Sequence, residues 1–155
     1  VTILDLDYRS NLWSGMAQAR SRVAAVLSRV DVAVGNRQEC EMAVGVSDPE
    51  GAADALLERG VKLAIVKQGP KGTLAKTADE RVWVDAWDVD VVNGLGAGDA
   101  FGGTLIHGLV EGWDLERTIR YASAAGAYVC LHIECSTAMP TLEQLHTFVE
   151  TGVLP

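Results

Sequence analysis

The sequence predicts an α/β protein: a doubly wound, mostly parallel sheet with helices on both faces. Three observations predict it. Short apolar runs, at Val1–Leu6, Val30–Val34 and Val61–Val66, alternate with longer stretches of helical periodicity. No repeat, linker or low-complexity segment interrupts the 155 residues, a length that fits one domain. A glycine-rich stretch, Asn93-Gly94-Leu95-Gly96-Ala97-Gly98-Asp99, separates the last strand signal from a run of small, helix-spaced residues. That is the pattern of a loop opening a helix at a sheet edge.

Val1–Leu6 reads as an interior strand, with Asp5, Asp7, Tyr8 and Arg9 at its C-terminal end. Met16–Arg29 reads as an amphipathic helix with Ala19, Val23, Val26, Leu27 and Val30 near one face. A short strand, Val30–Val34, follows. Asn36 is then a good N-cap, and Glu39 three residues later fits a capping box. Asp48-Pro49 opens a further helix, which Gly60 ends. After the strand Val61–Val66, Lys67-Gln68-Gly69-Pro70-Lys71-Gly72 carries turn chemistry, and a hairpin into a strand from Thr73 is the default expectation.

Arg81–Val91 alternates loosely and predicts one or two strands, with Trp83 and Trp87 as packing residues. Ala97–Gly112 predicts a helix, and Asp114 caps another through about Leu131. In that helix Ile119, Ala122, Ala125, Gly126 and Val129 suit close packing. Thr141 caps a last helix, Leu142–Glu150.

Composition narrows the function. The chain holds 13 basic and 21 acidic residues, a net charge of −8 with no basic stripe, which argues against nucleic-acid binding. No apolar run reaches the ~18 residues of a membrane span, and no signal peptide is evident. Three cysteines, Cys40, Cys130 and Cys135, lack framework spacing and are compatible with a reducing cytoplasm. Cys130, His132, Glu134 and Cys135 lie close together but lack a second ligand pair at zinc-site spacing, so a metal is not expected there. The chain starts abruptly, without Met, on what reads as a buried strand. That is the expectation for a C-terminal piece of something longer.

Stretch 93–99 carries the chemistry. Glycine lets a backbone take φ > 0 and approach a ligand closely. Amides in a first helical turn are unpaired and favour an anion such as phosphate. A carboxylate beside such a cradle, Asp99, suits proton abstraction from a hydroxyl during phosphoryl transfer. Gly96-Ala97-Gly98 is not a dinucleotide fingerprint, because Phe101 stands where Gly or Ala is needed. Nor is it a P-loop, since no Gly-Lys-Ser/Thr follows. A plain strand-to-helix connection with an acidic cap remains the alternative.

Asn-Gly-Leu-Gly-Ala-Gly-Asp-Ala-Phe resembles the C-terminal signature of the PfkB (ribokinase-like) sugar kinases, usually Asp-Thr-Thr-Gly-Ala-Gly-Asp. Gly96 to Asp99 match it; Asn93 replaces its Asp, and Gly94-Leu95 its Thr-Thr. The resemblance extends over nearly the whole chain and implies a ribokinase-like fold, with residues 1–155 as the C-terminal part of a kinase domain. The lid and much of the sugar site belong to an N-terminal part that these residues do not include. Poor solubility of such a piece is then expected from its uncovered surface.

The resemblance further implies that Gly96, Ala97 and Gly98 form the anion hole and that Asp99 is the catalytic base, touching the substrate. Asn36 and Glu39, as the family's Asn-x-x-Glu, would position Mg²⁺ through water. Lys67, Gly69 and Gly72 would line the nucleotide phosphates, Asn93 would lie at the nucleotide, and Ala125 and Gly126 would leave room for the base. Asp5-Leu6-Asp7-Tyr8-Arg9 resembles the segment of PfkB kinases acting on acidic sugars, which makes Arg9 a candidate for the substrate carboxylate. The implied cofactors are ATP and Mg²⁺, with a monovalent cation left open. The implied partner is a small-molecule sugar acid, in a cytoplasmic enzyme for which a homo-oligomer at full length is left open. A nucleotide-binding fragment without catalysis remains the alternative from another class.

Overall fold

The computed structural model describes residues 1–152. It divides into two compact units, residues 1–83 and the remainder from Val84. The first unit carries the strands β1 (Ile3–Asp5), β2 (Val32–Asn36), β3 (Leu63–Lys67) and β4 (Thr73–Lys76), together with α1 (Met16–Leu27), α2 (Arg37–Val44) and α3 (Pro49–Glu58). The last strand, β5 (Arg81–Val84), ends at the boundary. The sheet order is β1-β2-β3-β4-β5. β1–β2 and β2–β3 pair in parallel, β3–β4 antiparallel.

The sheet is therefore mixed rather than wholly parallel. Only residues 68–72 join β3 to β4, enough for a hairpin and far too few for the crossover that parallel pairing needs. The hairpin turn closes through Gln68 N–H to Gly72 O at 2.9 Å, with Gly72 at φ 94°.

Alternation along the strands separates two faces. Ala33 on β2, Ala64 and Val66 on β3, and Leu74 on β4 join one core with α1, α2 and α3. The oppositely directed Val32, Val34, Leu63 and Ile65 are buried as well, so neither face of β2 or β3 is wet. Ala19, Ala43, Ala52 and Ala53 bring the helices close to the sheet. Val26, expected on the buried face of α1, is 40% exposed; that stripe runs instead through Ala19, Val23 and Leu27. Cys40 is fully buried in this core, and burial pushes its thiol up to about 12, which makes it an inert packing residue.

Helix ends follow the capping residues the sequence supplies. Asn36 accepts from Glu39 N–H at 2.9 Å while Glu39 accepts from Asn36 N–H, a complete capping box. Asp48 accepts from Gly51 N–H, with Pro49 in the first turn. At the other end of α2 the caps are long-range: Arg20 of α1 donates from Nε to Met42 O at 2.9 Å, and Arg59 reaches Val44 O.

The second unit holds α4 (Ala97–Val110), α5 (Leu115–Cys130) and α6 (Leu142–Thr151). Residues 85–91 form no second strand, and Trp87 packs its ring on Phe148 at 5.2 Å between centroids. Trp83, by contrast, is 40% exposed. The expected apolar stripe of α5 is found buried, with Ile119, Ala122, Ala125 and Val129 all at 0% exposure.

Two glycines let α4 and α5 lie close together. A Cβ at Gly108 would meet Thr118 at 2.9 Å, and one at Gly126 would meet the carbonyl oxygen of Ala97 at 3.1 Å. Thr141 caps α6 in a capping box with Gln144, and Asp114 caps α5.

Candidate active site

The candidate residues fall into the two units, and each unit brings its own set together. In the first, the C-terminal ends of the parallel strands gather them. Asn36 ends β2 directly opposite Lys67, which ends β3. β1 ends at Asp5, one step before Leu6 donates to Val34 O at 2.9 Å. Asp7, Arg9, Asn36 and Lys67 thus share one end of the sheet, the end at which open α/β sheets bind ligands.

Arg9 is not a free guanidinium. Its Nε donates to Asp7 Oδ1 at 2.9 Å, both side chains being exposed. Asp7 holds φ 26°, a conformation that L residues rarely adopt, with its amide donating to Asp5 Oδ1. A substrate carboxylate at Arg9 would share this cation with Asp7 or displace it.

In the turn, Gly72 is buried and its amide donates to Gly69 O at 3.0 Å. It is spent on the turn, whereas the exposed Gly69 stands at the turn's outer end.

Asn36 and Glu39 use one oxygen each for the capping box, and that leaves one Glu39 carboxylate oxygen outside it. Among the described residues no three His, Cys, Asp or Glu side chains gather around one point. A single carboxylate fits Mg²⁺ only where water completes the shell, which this ion's habit of retaining water permits.

In the second unit the glycine stretch does open a helix. Gly96 is the N-cap of α4 at φ 87°, and no side chain caps the helix. A side chain is excluded there twice over: by the left-handed backbone, and by Cys135, whose Sγ would lie 2.5 Å from a Cβ at Gly96. Ala97 N–H makes a long contact to Gly94 O at 3.4 Å, and Ala100 N–H closes the first helical bond to Gly96 O at 2.9 Å. Between them the amides of Gly98 and Asp99 have no acceptor among the described residues. Gly96 N–H has none either, so of the Gly96-Ala97-Gly98 trio only the Ala97 amide is engaged, and Asp99 adds a further open amide.

Asp99 lies in this first turn, exposed. It lines a cavity of about 500 Å³ whose other walls include Thr104 and His107 of α4 and Met139, Leu142 and Leu145. His107 sits edge-on to Trp113 at 5.1 Å, two turns from the carboxylate.

Three residues assigned to the nucleotide have partners inside the chain. Asn93 donates from Nδ2 to Ile133 O at 2.9 Å and accepts Leu95 N–H at 3.1 Å. One donor and one acceptor of the Asn93 carboxamide are thus engaged within the loop and the turn after α5. Ala125 is fully buried in the helical core and Gly126 abuts Ala97. Both take part in the packing of the second unit.

The long-range partners of the loop, Cys130, Ile133 and Cys135, carry no sequence signal of their own. The only hint is the failure of Cys130 and Cys135 to fit any framework or metal spacing. Burial raises the Cys130 thiol, consistent with packing.

Open amides and a carboxylate in one first helical turn are an arrangement that suits an anion such as phosphate. The profile of the pfkB family carbohydrate kinases matches residues 1–142, and the chain belongs to that family. A 5-dehydro-2-deoxygluconokinase of Geobacillus thermodenitrificans is 31% identical over 155 residues, 97% of this chain and 46% of the relative. Among solved structures, aminoimidazole riboside kinase from Salmonella enterica, complexed with aminoimidazole riboside and an ATP analogue, aligns with a TM-score of 0.85. It is 30% identical and covers 96% of this chain and 52% of its own. Fructokinase from Vibrio cholerae O395, bound to fructose, ADP and calcium ion, gives a TM-score of 0.85 at 25% identity over 95% of this chain and 50% of its own. The chain thus spans about half the length of the relatives it matches.

Proposed function

We propose that the chain carries the phosphoryl-transfer part of an ATP-dependent sugar-acid kinase, and that residues 1–155 form the C-terminal part of its catalytic domain. The observation that carries this reading is the start of α4: a glycine-opened turn without a side-chain cap, the unpartnered amides of Gly96, Gly98 and Asp99, and the Asp99 carboxylate beside them.

In the reaction, the substrate hydroxyl gives its proton to Asp99 while its oxygen forms the new bond to the γ-phosphorus of ATP. The bond from that phosphorus to the bridging oxygen breaks and ADP leaves. The Gly98 and Asp99 amides stabilise charge on the migrating group, aided by the helix dipole. A magnesium ion, held through water by Asn36 and Glu39, would neutralise phosphate charge when bound. Lys67, at the end of β3, adds positive potential in a chain of net charge −8.

The acceptor we favour is 5-dehydro-2-deoxy-D-gluconate, phosphorylated at its terminal hydroxyl. The name of the Geobacillus relative supports it, as does the Asp5-Leu6-Asp7-Tyr8-Arg9 segment. Arg9 would hold the substrate carboxylate in place of Asp7. 2-Keto-3-deoxygluconate and other acidic sugars fit the same chemistry. A cytoplasmic location belongs to the same proposal; among the described residues no helix is long and apolar enough to cross a membrane.

Asp99→Asn tests the assignment. General-base catalysis is worth about 10²–10⁴-fold. Turnover in the whole protein should fall by about that factor while ADP affinity holds. Near-normal turnover would remove Asp99 from the role, and a panel of acidic sugars assayed with the same protein identifies the acceptor.

A further inference from the structure

The loop that delivers the chain to α4 has little to hold it in place. Gly94 has no atom within 4 Å of where its Cβ would be, and Leu95 is 63% exposed. Two glycines in four residues leave a large conformational freedom, about 1–2 kcal/mol per residue to be lost on ordering. The anion site nevertheless needs its amides fixed, because donors aimed in advance are what stabilise a developing charge.

The contacts that do fix the loop come from one place, the end of α5 and the turn after it. Val92 and Asn93 both donate their backbone N–H to Cys130 O, at 2.8 and 3.2 Å. The Asn93 side chain spans the remaining gap. Its Nδ2 donates to Ile133 O, 40 residues away, while its Oδ1 holds Leu95 N–H. At the next step Gly96 rests on Cys135. A carboxamide has a donor and an acceptor on one short branch, which aspartate and the aliphatic side chains lack. Serine has both on a single atom, one bond closer to the backbone, and cannot offer a separate donor and acceptor.

We propose that Asn93 is a positioning residue for the phosphate site. It pins the glycine loop to the turn after α5 and so sets where the Gly98 and Asp99 amides and the Asp99 carboxylate stand. The proposal rests on reading the α4 start as the phosphoryl site, and it moves Asn93 from contacting the nucleotide to shaping the loop that does.

The test uses Asn93→Ala, which removes both side-chain bonds, and Asn93→Ser, which can restore only the one to Leu95. Amide hydrogen exchange and ¹H–¹⁵N shifts are recorded on the nucleotide-free whole protein, followed by titration with ADP. In Asn93→Ala the amides of Leu95, Gly96, Gly98 and Asp99 should shift and exchange faster, while those of α3 stay put. ADP affinity should fall about tenfold, and about threefold in Asn93→Ser, as loss of two and of one neutral hydrogen bond implies. Unmoved amides in that segment, with ADP affinity within about twofold of the parent, would overturn the positioning role. If the parent chain itself takes up no ADP, the reading of α4 as a phosphate site fails. The exchange data from Leu95 to Asp99 then decide the role of Asn93 without it.

Discussion

Helices α2 and α4 begin in opposite ways, and the difference separates capping from binding. At α2, Asn36 and Glu39 satisfy each other's backbone amides, so the helix start is closed by the chain itself. At α4 the cap residue is Gly96, which has no side chain to give, and the amides of Gly98 and Asp99 stay open. The first arrangement supplies about 1 kcal/mol of stability. The second forgoes it. α1 also starts at a glycine, Gly15, but with no carboxylate in its first turn. What singles out α4 is the conjunction: open amides, an acid in the same turn, and a glycine that neighbouring side chains forbid to be anything else.

Substitutions can break this contrast. Gly96→Ala should have the largest effect, about 3 kcal/mol, because it adds left-handed strain to a collision with Cys135 Sγ. Pairing it with Cys135→Ala should recover the steric share and leave about 1 kcal/mol, read by chemical denaturation. Full recovery would mean that the backbone there is not left-handed. Gly126→Ala comes next. A methyl 3.1 Å from Ala97 O must push the first turn of α4 away from α5, at about 1–2 kcal/mol, and should weaken ADP binding with it. Loss of stability with binding intact would show that the first turn does not need this support.

Asn36→Ala sharpens the other side of the contrast. It should cost about 1 kcal/mol in thermal unfolding for the lost cap. If Asn36 and Glu39 also steady a magnesium ion, the variant should need more Mg²⁺ for half-maximal turnover in the whole protein. An unchanged Mg²⁺ requirement would leave the pair as a cap alone.

The smallest effect concerns pH. The Arg81 side chain bonded to Glu50, helped by Lys76, holds the Glu50 carboxyl below the usual range. A lowered folded value means that the stabilisation is present above the ordinary glutamate value. It is lost as pH falls through the lower one. Glu50 is half exposed, so the contribution is only ~0.3 kcal/mol. Comparing the acid unfolding of Glu50→Gln with that of the parent checks it, and the two curves should converge at low pH.

Much of the fold is legible because local chemistry and tertiary structure agree. Asn36, Asp48, Asp114 and Thr141 each cap the helix that their spacing marks. The five residues after Lys67 permit only a hairpin. Misreadings occur where packing decides. Trp83 and Trp87 look alike in the sequence, yet only Trp87 finds Phe148. Residues 85–91 alternate like a strand, but show no strand pairing. Val26 sits at helical spacing for the core and faces outward, because the width of a buried stripe depends on what lies against it.

The site divides along the same line. The sequence by itself determined the chemistry on offer: glycine freedom at 94, 96 and 98, a carboxylate at Asp99, an N-cap pair at Asn36 and Glu39, and a basic strand end at Lys67. Those are properties of residue type and near spacing, and they need no fold to be recognised. Only the tertiary structure decided which groups remain available. It spent the Gly72 amide on its turn, paired Arg9 with Asp7, engaged both ends of Asn93 and packed Gly126 against Ala97. A hydrogen-bonding group has few partners it can take at once, and whether it is already taken is settled by atoms as far as 40 residues away, as with Asn93 and Ile133.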